Sequence, residues 1–95
     1  MSFSEIYLRE IREVSKKISL KKIDGMVKVI SNCRKNKGRV FFAGVGGSAG
    51  NCSHAVNDFR KLCNVEAYAI TDNVSEITAR TNDEGFETIF DQYLI

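Results

Sequence analysis

Between Phe41 and His54 the chain reads Phe-Phe-Ala-Gly-Val-Gly-Gly-Ser-Ala-Gly-Asn-Cys-Ser-His. An apolar run stops at Gly44, Gly46, Gly47 and Ser48, and helical spacing follows. That order of strand, bare loop and helix is suited to holding an anion. Glycine lets the backbone approach a ligand closely. The first amides of the following helix have no helical acceptor and sit at the positive end of its dipole. Two anions fit this pattern, the phosphate of a sugar and the pyrophosphate of a dinucleotide. A tight strand-to-helix turn that binds nothing is the third reading.

The helix behind the loop carries the next chemical groups. At about 100° per residue, Ala49, Cys52, Val56, Phe59 and Cys63 make an apolar stripe, and Asn51, His54 and Asp58 fall beside it. Ser48 opens the same polar edge. His54 and Asp58 are four residues apart, close enough to share a proton or a divalent metal. The plainer reading is an ion pair on a solvated surface. The dinucleotide alternative has its own support. Gly44-Val45-Gly46-Gly47-Ser48-Ala49 fits GxGxxA, and Asp72 closes the next strand as a ribose-binding acid would. Against it, two helices precede the strand, whereas a dinucleotide fold usually opens with it.

These residues need a scaffold, and the rest of the chain supplies one. Ser4 is placed to cap a first helix with Ile6, Ile11, Val14 and Ile18 on one stripe. Ser19 caps a second, whose Ile23, Met26, Val27 and Ile30 recur at helical spacing and which Gly38 ends. Arg39–Ala43 reads as a strand covered on both faces, because its apolar run does not alternate. The third helix spans about Ser48 to Leu62, and Glu66–Ile70 is a second strand. A short helix covers about Val74 to Arg80, Asn82-Asp83-Glu84-Gly85 is a turn, and a last helix starts near Phe86. Strand, helix and strand form one parallel crossover unit. The expected division is a helical arm over 1–37 and a βαβ core over 38–95. Two strands make a poor sheet, and the chain closes on the apolar Tyr93-Leu94-Ile95. Both features lead us to expect a fold that continues beyond these residues.

Composition narrows the class. The chain has 95 residues, 43% of them hydrophobic, with a formal net charge of +2. That suits a globular domain, and the charge is too small to point to nucleic acid. Lysines and arginines cluster early, as a solvated helix face. No apolar run approaches the roughly 20 residues of a membrane span, and no secretory leader is visible. Cys33, Cys52 and Cys63 are odd in number and form no CxxC pair, so a reducing cytoplasm is expected. The apolar residues between Val74 and Leu94, among them Ile77, Phe86, Ile89, Phe90 and Tyr93, are expected to be core or subunit contacts.

At two separated motifs the chain resembles the sugar isomerase (SIS) family, and within it the phosphoheptose isomerases. The first is Gly44-Val45-Gly46-Gly47-Ser48-Ala49 followed by His54 and Asp58, against the family's GNGGSAxxxxHxxxE. The second is Thr71-Asp72-Asn73-Val74-Ser75 with Asn82-Asp83-Glu84-Gly85-Phe86, against a Thr/Ser-Asp-x-Ser segment and an NDxGF turn. The resemblance implies a three-layer α/β/α domain with a parallel sheet and helices before the first strand. It implies interconversion of sedoheptulose 7-phosphate and D-glycero-D-manno-heptose 7-phosphate, a step towards bacterial surface glycans such as lipopolysaccharide or capsule. It also implies a homotetramer and zinc. By position, Val45, Gly46, Gly47, Ser48, Asn82 and Asp83 would contact the sugar phosphate. His54 and Asp58 would be catalytic and would hold the metal.

The chain departs from the family pattern in places. Val45 stands for an Asn and removes a side-chain hydrogen bond. Asp58 stands for a Glu and is one methylene shorter, about 1.5 Å of reach. Gly50 loosens the first helical turn. The family's second phosphate loop and its late Gln and His pair have no counterpart, and His54 is the sole histidine. Two further readings therefore stand beside the isomerase. One is a sugar-phosphate-binding domain of the same fold without catalysis, and the other is part of a nicotinamide-dependent oxidoreductase.

Overall fold

The helical arm comes first in the computed structural model, which describes residues 1–95. Helix α1 spans Phe3–Lys17 and α2 spans Leu20–Lys35. Ser2, not Ser4, caps α1. Its hydroxyl accepts from the Glu5 amide while the Glu5 carboxylate accepts from the Ser2 amide. This reciprocal box satisfies two end amides at once, and Ser4 has no glutamate three residues on. Ser19 caps α2 as expected, accepting from the Lys22 amide.

The end of α2 differs from expectation in detail. Lys37, not Gly38, takes the left-handed conformation, with φ 54°. The Lys37 amide donates to the Arg34 carbonyl and the Gly38 amide to the Cys33 carbonyl, the paired bonds of a Schellman stop. Gly38 is needed for space, since a Cβ there would lie 2.8 Å from Cys33 Sγ.

Two short strands follow, β1 (Arg39–Phe42) and β2 (Glu66–Ala69), joined by α3 (Gly47–Cys63). They pair in parallel with Arg39 opposite Glu66 and Phe42 opposite Ala69, so the expected crossover unit is present. Each strand ends one residue earlier than its apolar run. Val40, Phe42, Ala67 and Ala69 point to the face covered by Cys52, Val56 and Phe59 of α3, and this is the core. The expectation that β1 is covered on both faces is not met, because its burial alternates. Its outward residue Phe41 is 38% exposed, stacked on Tyr68 and touched edge-on by Tyr93.

Beyond β2, a 3₁₀ turn at Ile70–Asp72 leads into α4 (Val74–Asp83), capped by the Asn73 side chain. Helix α4 runs three residues past the expected Arg80, so Asn82 and Asp83 are its last helical residues rather than part of a turn. The cause is Arg80, which pairs with Glu76 at 3.2 Å and Glu84 at 3.4 Å, each four residues away. Such pairs hold a polar stretch helical. Gly85, with φ 109°, makes the turn. The last expected helix is a single 3₁₀ turn at Phe86–Thr88 followed by turns. Of the apolar residues there, Ile89 is buried, Ile77, Phe90 and Tyr93 are half-buried, and Phe86 and Leu94 are exposed.

The arm projects from this core. Neither α1 nor α2 has a buried residue. The Cα radius of gyration is 17.6 Å, against about 12 Å for a compact chain of this length. No helix is long and apolar enough to cross a membrane.

Candidate functional site

The glycine loop leaves the carboxyl end of β1, where open α/β sheets bind ligands. Gly46 caps α3 with φ 62° and ψ −124°, a backbone conformation essentially confined to glycine. No side chain caps this helix. The Ser48 amide is turned inward to the Val45 carbonyl at 3.2 Å, and the Ala49 amide to the Gly46 carbonyl at 3.0 Å. The amides of Gly46 and Gly47 find no acceptor within the chain. Of the four loop residues among the six expected to meet the phosphate, Gly46 and Gly47 therefore offer free N–H donors and Ser48 offers its hydroxyl. Val45 has its side chain out in solvent, 63% exposed.

Further along α3, His54 and Asp58 do meet. His54 Nε2 stands 3.4 Å from Asp58 Oδ2, with the side chains 80% and 48% exposed. A contact this open has little worth for stability, about 0.2–1 kcal/mol at most. Its use, if chemical, is to position an acid and a base on one helix edge.

The structure does not unite the whole expected set. The side chains of Asn82 and Asp83 bond to each other, Nδ2 to Oδ1 at 3.0 Å, and to nothing near the glycine loop. They lie at the far end of α4, about 14 Å along its axis from the residue that follows the Asn73 cap. A cleft of about 490 Å³ beside β2, lined in part by Asp72, Asn73 and Ser75, stops short of the loop, His54 and Asp58. Those residues lie on an open surface.

A metal ion finds an incomplete donor set. His54 Nε2 and the Asp58 carboxylate are suitable zinc donors in type. No group of three or more His, Cys, Asp or Glu residues comes together anywhere in the chain. A closed zinc site takes four ligands and a catalytic one three, so these residues alone do not make one.

One tie was not foreseen from the sequence. The Ser53 hydroxyl donates to Asp72 Oδ1, linking α3 to the turn after β2. Asp72 is the acid that the dinucleotide reading assigns to a ribose, and one of its oxygens is already occupied. The only signal in the sequence is topological, since both residues follow strands that end on the same side.

Comparison with known proteins bears on this geometry. No protein-family model matches the chain. It is 32% identical over 94 residues to a phosphoheptose isomerase of Syntrophotalea carbinolica, covering 90% of this chain and 48% of that protein. It is 32% identical over 97 residues to a phosphoheptose isomerase of Aquifex aeolicus, covering 97% of this chain and 44% of that one. The chain is thus similar in sequence to about half of each of two curated phosphoheptose isomerases. It spans about half the length of these relatives. Its fold superposes on the phosphoheptose isomerase GmhA of Neisseria gonorrhoeae with a TM-score of 0.81 and 26% identity, over 96% of this chain and 50% of that one. The expected α/β class, with helices ahead of a parallel sheet, is thereby borne out.

Proposed function

We propose that the chain supplies the phosphate-binding and proton-transfer elements of an isomerase that interconverts sedoheptulose 7-phosphate and D-glycero-D-manno-heptose 7-phosphate. The observation that carries this is the pair of unpartnered amides at Gly46 and Gly47, set at the head of the helix edge that bears His54 and Asp58. The amides and the Ser48 hydroxyl receive the phosphate. His54 and Asp58 follow about 9 and 15 Å down the helix axis from Ser48, with side chains tilted back towards it. The reacting carbons of an extended seven-carbon sugar lie about 8 Å from its phosphate ester, so the spans are compatible.

In this reading Asp58 takes the proton from the carbon next to the carbonyl, and an enediol forms. His54 holds the carboxylate in place and exchanges protons with the sugar oxygens. A positioned acid or base contributes about 10²–10⁴-fold. Zinc stays an expectation of the resemblance, with two donors here, and the proton transfers are assigned to the side chains alone. The open surface calls for cover that keeps water off the enediol. A homo-oligomer, as the tetramer expectation has it, would supply that cover and would bring Asn82 and Asp83 of another copy to the phosphate. The setting is the cytoplasm, and the product is heptose for surface glycans.

A second reading has an observation of its own. The exposure of His54 and Asp58, with Asp58 a methylene shorter than the family's Glu, suits a domain that binds sugar phosphate without turning it over. An NMR titration of backbone amides with sedoheptulose 7-phosphate, and separately with NAD, divides the readings. Saturable shifts at Gly46, Gly47 and Ser48 with the sugar phosphate, accompanied by heptose formation, support the isomerase. The same shifts without product select the binding domain. A response to NAD alone selects the oxidoreductase and overturns both.

A further inference from the structure

The opposite end of the sheet carries a second concentration of chemistry. Both left-handed helix stops, Lys37 at φ 54° and Asn64 at φ 53°, turn the chain into the paired strand starts Arg39 and Glu66. The C-termini of α2 and α3 therefore meet at one edge, and the Arg34 guanidinium bridges them by donating to the Cys63 carbonyl at 2.9 Å. Between them lies a cleft of about 500 Å³ lined by Arg34, Lys35, Lys37, Arg60, Asn64 and Glu66, with Val65 its one apolar wall.

The charge in this cleft is not balanced. None of Arg34, Lys35, Lys37 or Arg60 takes part in an ion pair; the chain's pairs are at Glu13, Asp58, Glu76 and Glu84. The one carboxylate present, Glu66, already accepts from the Tyr68 hydroxyl at 2.7 Å. Basic residues at helix C-termini are ordinary, because each terminus carries about half a negative charge. Two termini and one carboxylate still offset only about two of the four cations. A surplus near two positive charges remains in a concave space of the size that holds small ligands, about 300–1,000 Å³.

We propose that this cleft is a binding site for a compact polyanion with adjacent phosphates, distinct from the glycine loop. Arg34, held by the Cys63 carbonyl, presents its remaining N–H groups in a fixed fork, the geometry that suits phosphate oxygens. Lys35, Lys37 and Arg60 surround it as further charges, and the Asn64 side chain adds a neutral donor. Its short extent, limited to the ends of α2 and α3, the turns after them and the start of β2, distinguishes it from the extended basic stripe that a nucleic-acid strand follows. A free pyrophosphate and the diphosphate of a nucleotide share this chemistry.

The test is an NMR titration of the labelled chain with inorganic pyrophosphate, with ADP and with inorganic phosphate in separate arms. Saturable shifts at Lys37, Gly38 and Asn64 with pyrophosphate, weaker with single phosphate and diminished by added salt, are expected. Equal or tighter response to ADP identifies the nucleotide form, and response to pyrophosphate alone identifies the free anion. The double variant Lys35→Gln with Lys37→Gly should weaken binding about tenfold. It should keep its fold, because glycine suits the positive φ of position 37. Absence of saturable shifts at these amides, shifts confined to Gly46–Ser48, or unchanged affinity in the double variant each overturns the proposal.

Discussion

Gly44 passes so close beneath the backbone of Ser48 that a Cβ there would stand 2.7 Å from the Ser48 carbonyl carbon and oxygen. The strand-to-helix turn thus closes over a position that accepts no side chain. Gly44→Ala must push strand and helix apart, and overpacking of this kind costs about 1–3 kcal/mol. Gly50, one turn into α3, has nothing within 4 Å of a built Cβ and no positive φ. Gly50→Ala should therefore stabilise by about 0.4–1 kcal/mol, as alanine does in a helix. Denaturant unfolding of the two variants should show shifts of opposite sign. Equal shifts would mean that the turn is not as tight as described.

The contact between His54 and Asp58 makes a prediction about rate rather than stability. Its exposure means that Asp58→Asn should change the unfolding midpoint very little. Under the proposed isomerase reading the same substitution removes the base and lowers kcat by about 10²–10⁴-fold. Binding of sedoheptulose 7-phosphate, read from the Gly46 and Gly47 amides, should persist. Full activity in the asparagine variant would remove Asp58 from the mechanism. Loss of binding along with activity would indicate a role in holding substrate instead.

Tyr68 links the sheet to pH. Its phenol is held above the ordinary value of 10.0, first by its hydrogen bond to Glu66, then by desolvation and by the Glu66 charge, with Arg60 opposing. A raised folded value means that the protonated phenol is the form the fold favours. Its contribution is complete below about pH 10, the unfolded value, and is lost as pH rises through the folded one. Glu66→Ala, which removes both the acceptor and the charge, should bring the Tyr68 titration back towards its ordinary value, followed by phenolate absorbance with Tyr68→Phe as the blank. No movement in the alanine variant would refute Glu66 as the main cause.

What the sequence revealed and what it hid follow from how local each signal is. The glycine turn, the apolar stripe of α3 and the parallel pairing of β1 with β2 were legible, because periodicity and glycine spacing act within a few residues. The cap of α1 was misplaced by two residues, since only the partnership of Ser2 with Glu5 separates it from Ser4. Asn82 and Asp83 look like turn residues by composition, yet Arg80 draws them into α4 through carboxylates on either side. The second face of β1 could not be judged from its continuous apolar run, because what covers that face is a matter of tertiary contact. At the candidate site the order of loop, His54 and Asp58 was legible along one helix edge. The inward turn of the Ser48 amide was not, because a hydrogen bond to Val45 leaves no mark on residue type.

The link between Ser53 and Asp72 spans 19 positions in sequence and joins the two segments that leave the carboxyl ends of β1 and β2. It is the one side-chain bond between α3 and the turn ahead of α4, so its effect should be local. Ser53→Ala should cost about 0.5–1.5 kcal/mol and should speed hydrogen exchange at the start of α4, around Glu76 and Ile77, more than in β1. Asp72→Asn leaves an acceptor oxygen but weakens the bond by removing its charge. Because both changes act on one contact, the double variant should lose less than the sum of the singles. Strict additivity would show that the two side chains do not depend on each other. The corner after β2 would then be held by the Asn73 cap alone, and Asp72 would be free to meet a ligand hydroxyl, which returns weight to the dinucleotide reading.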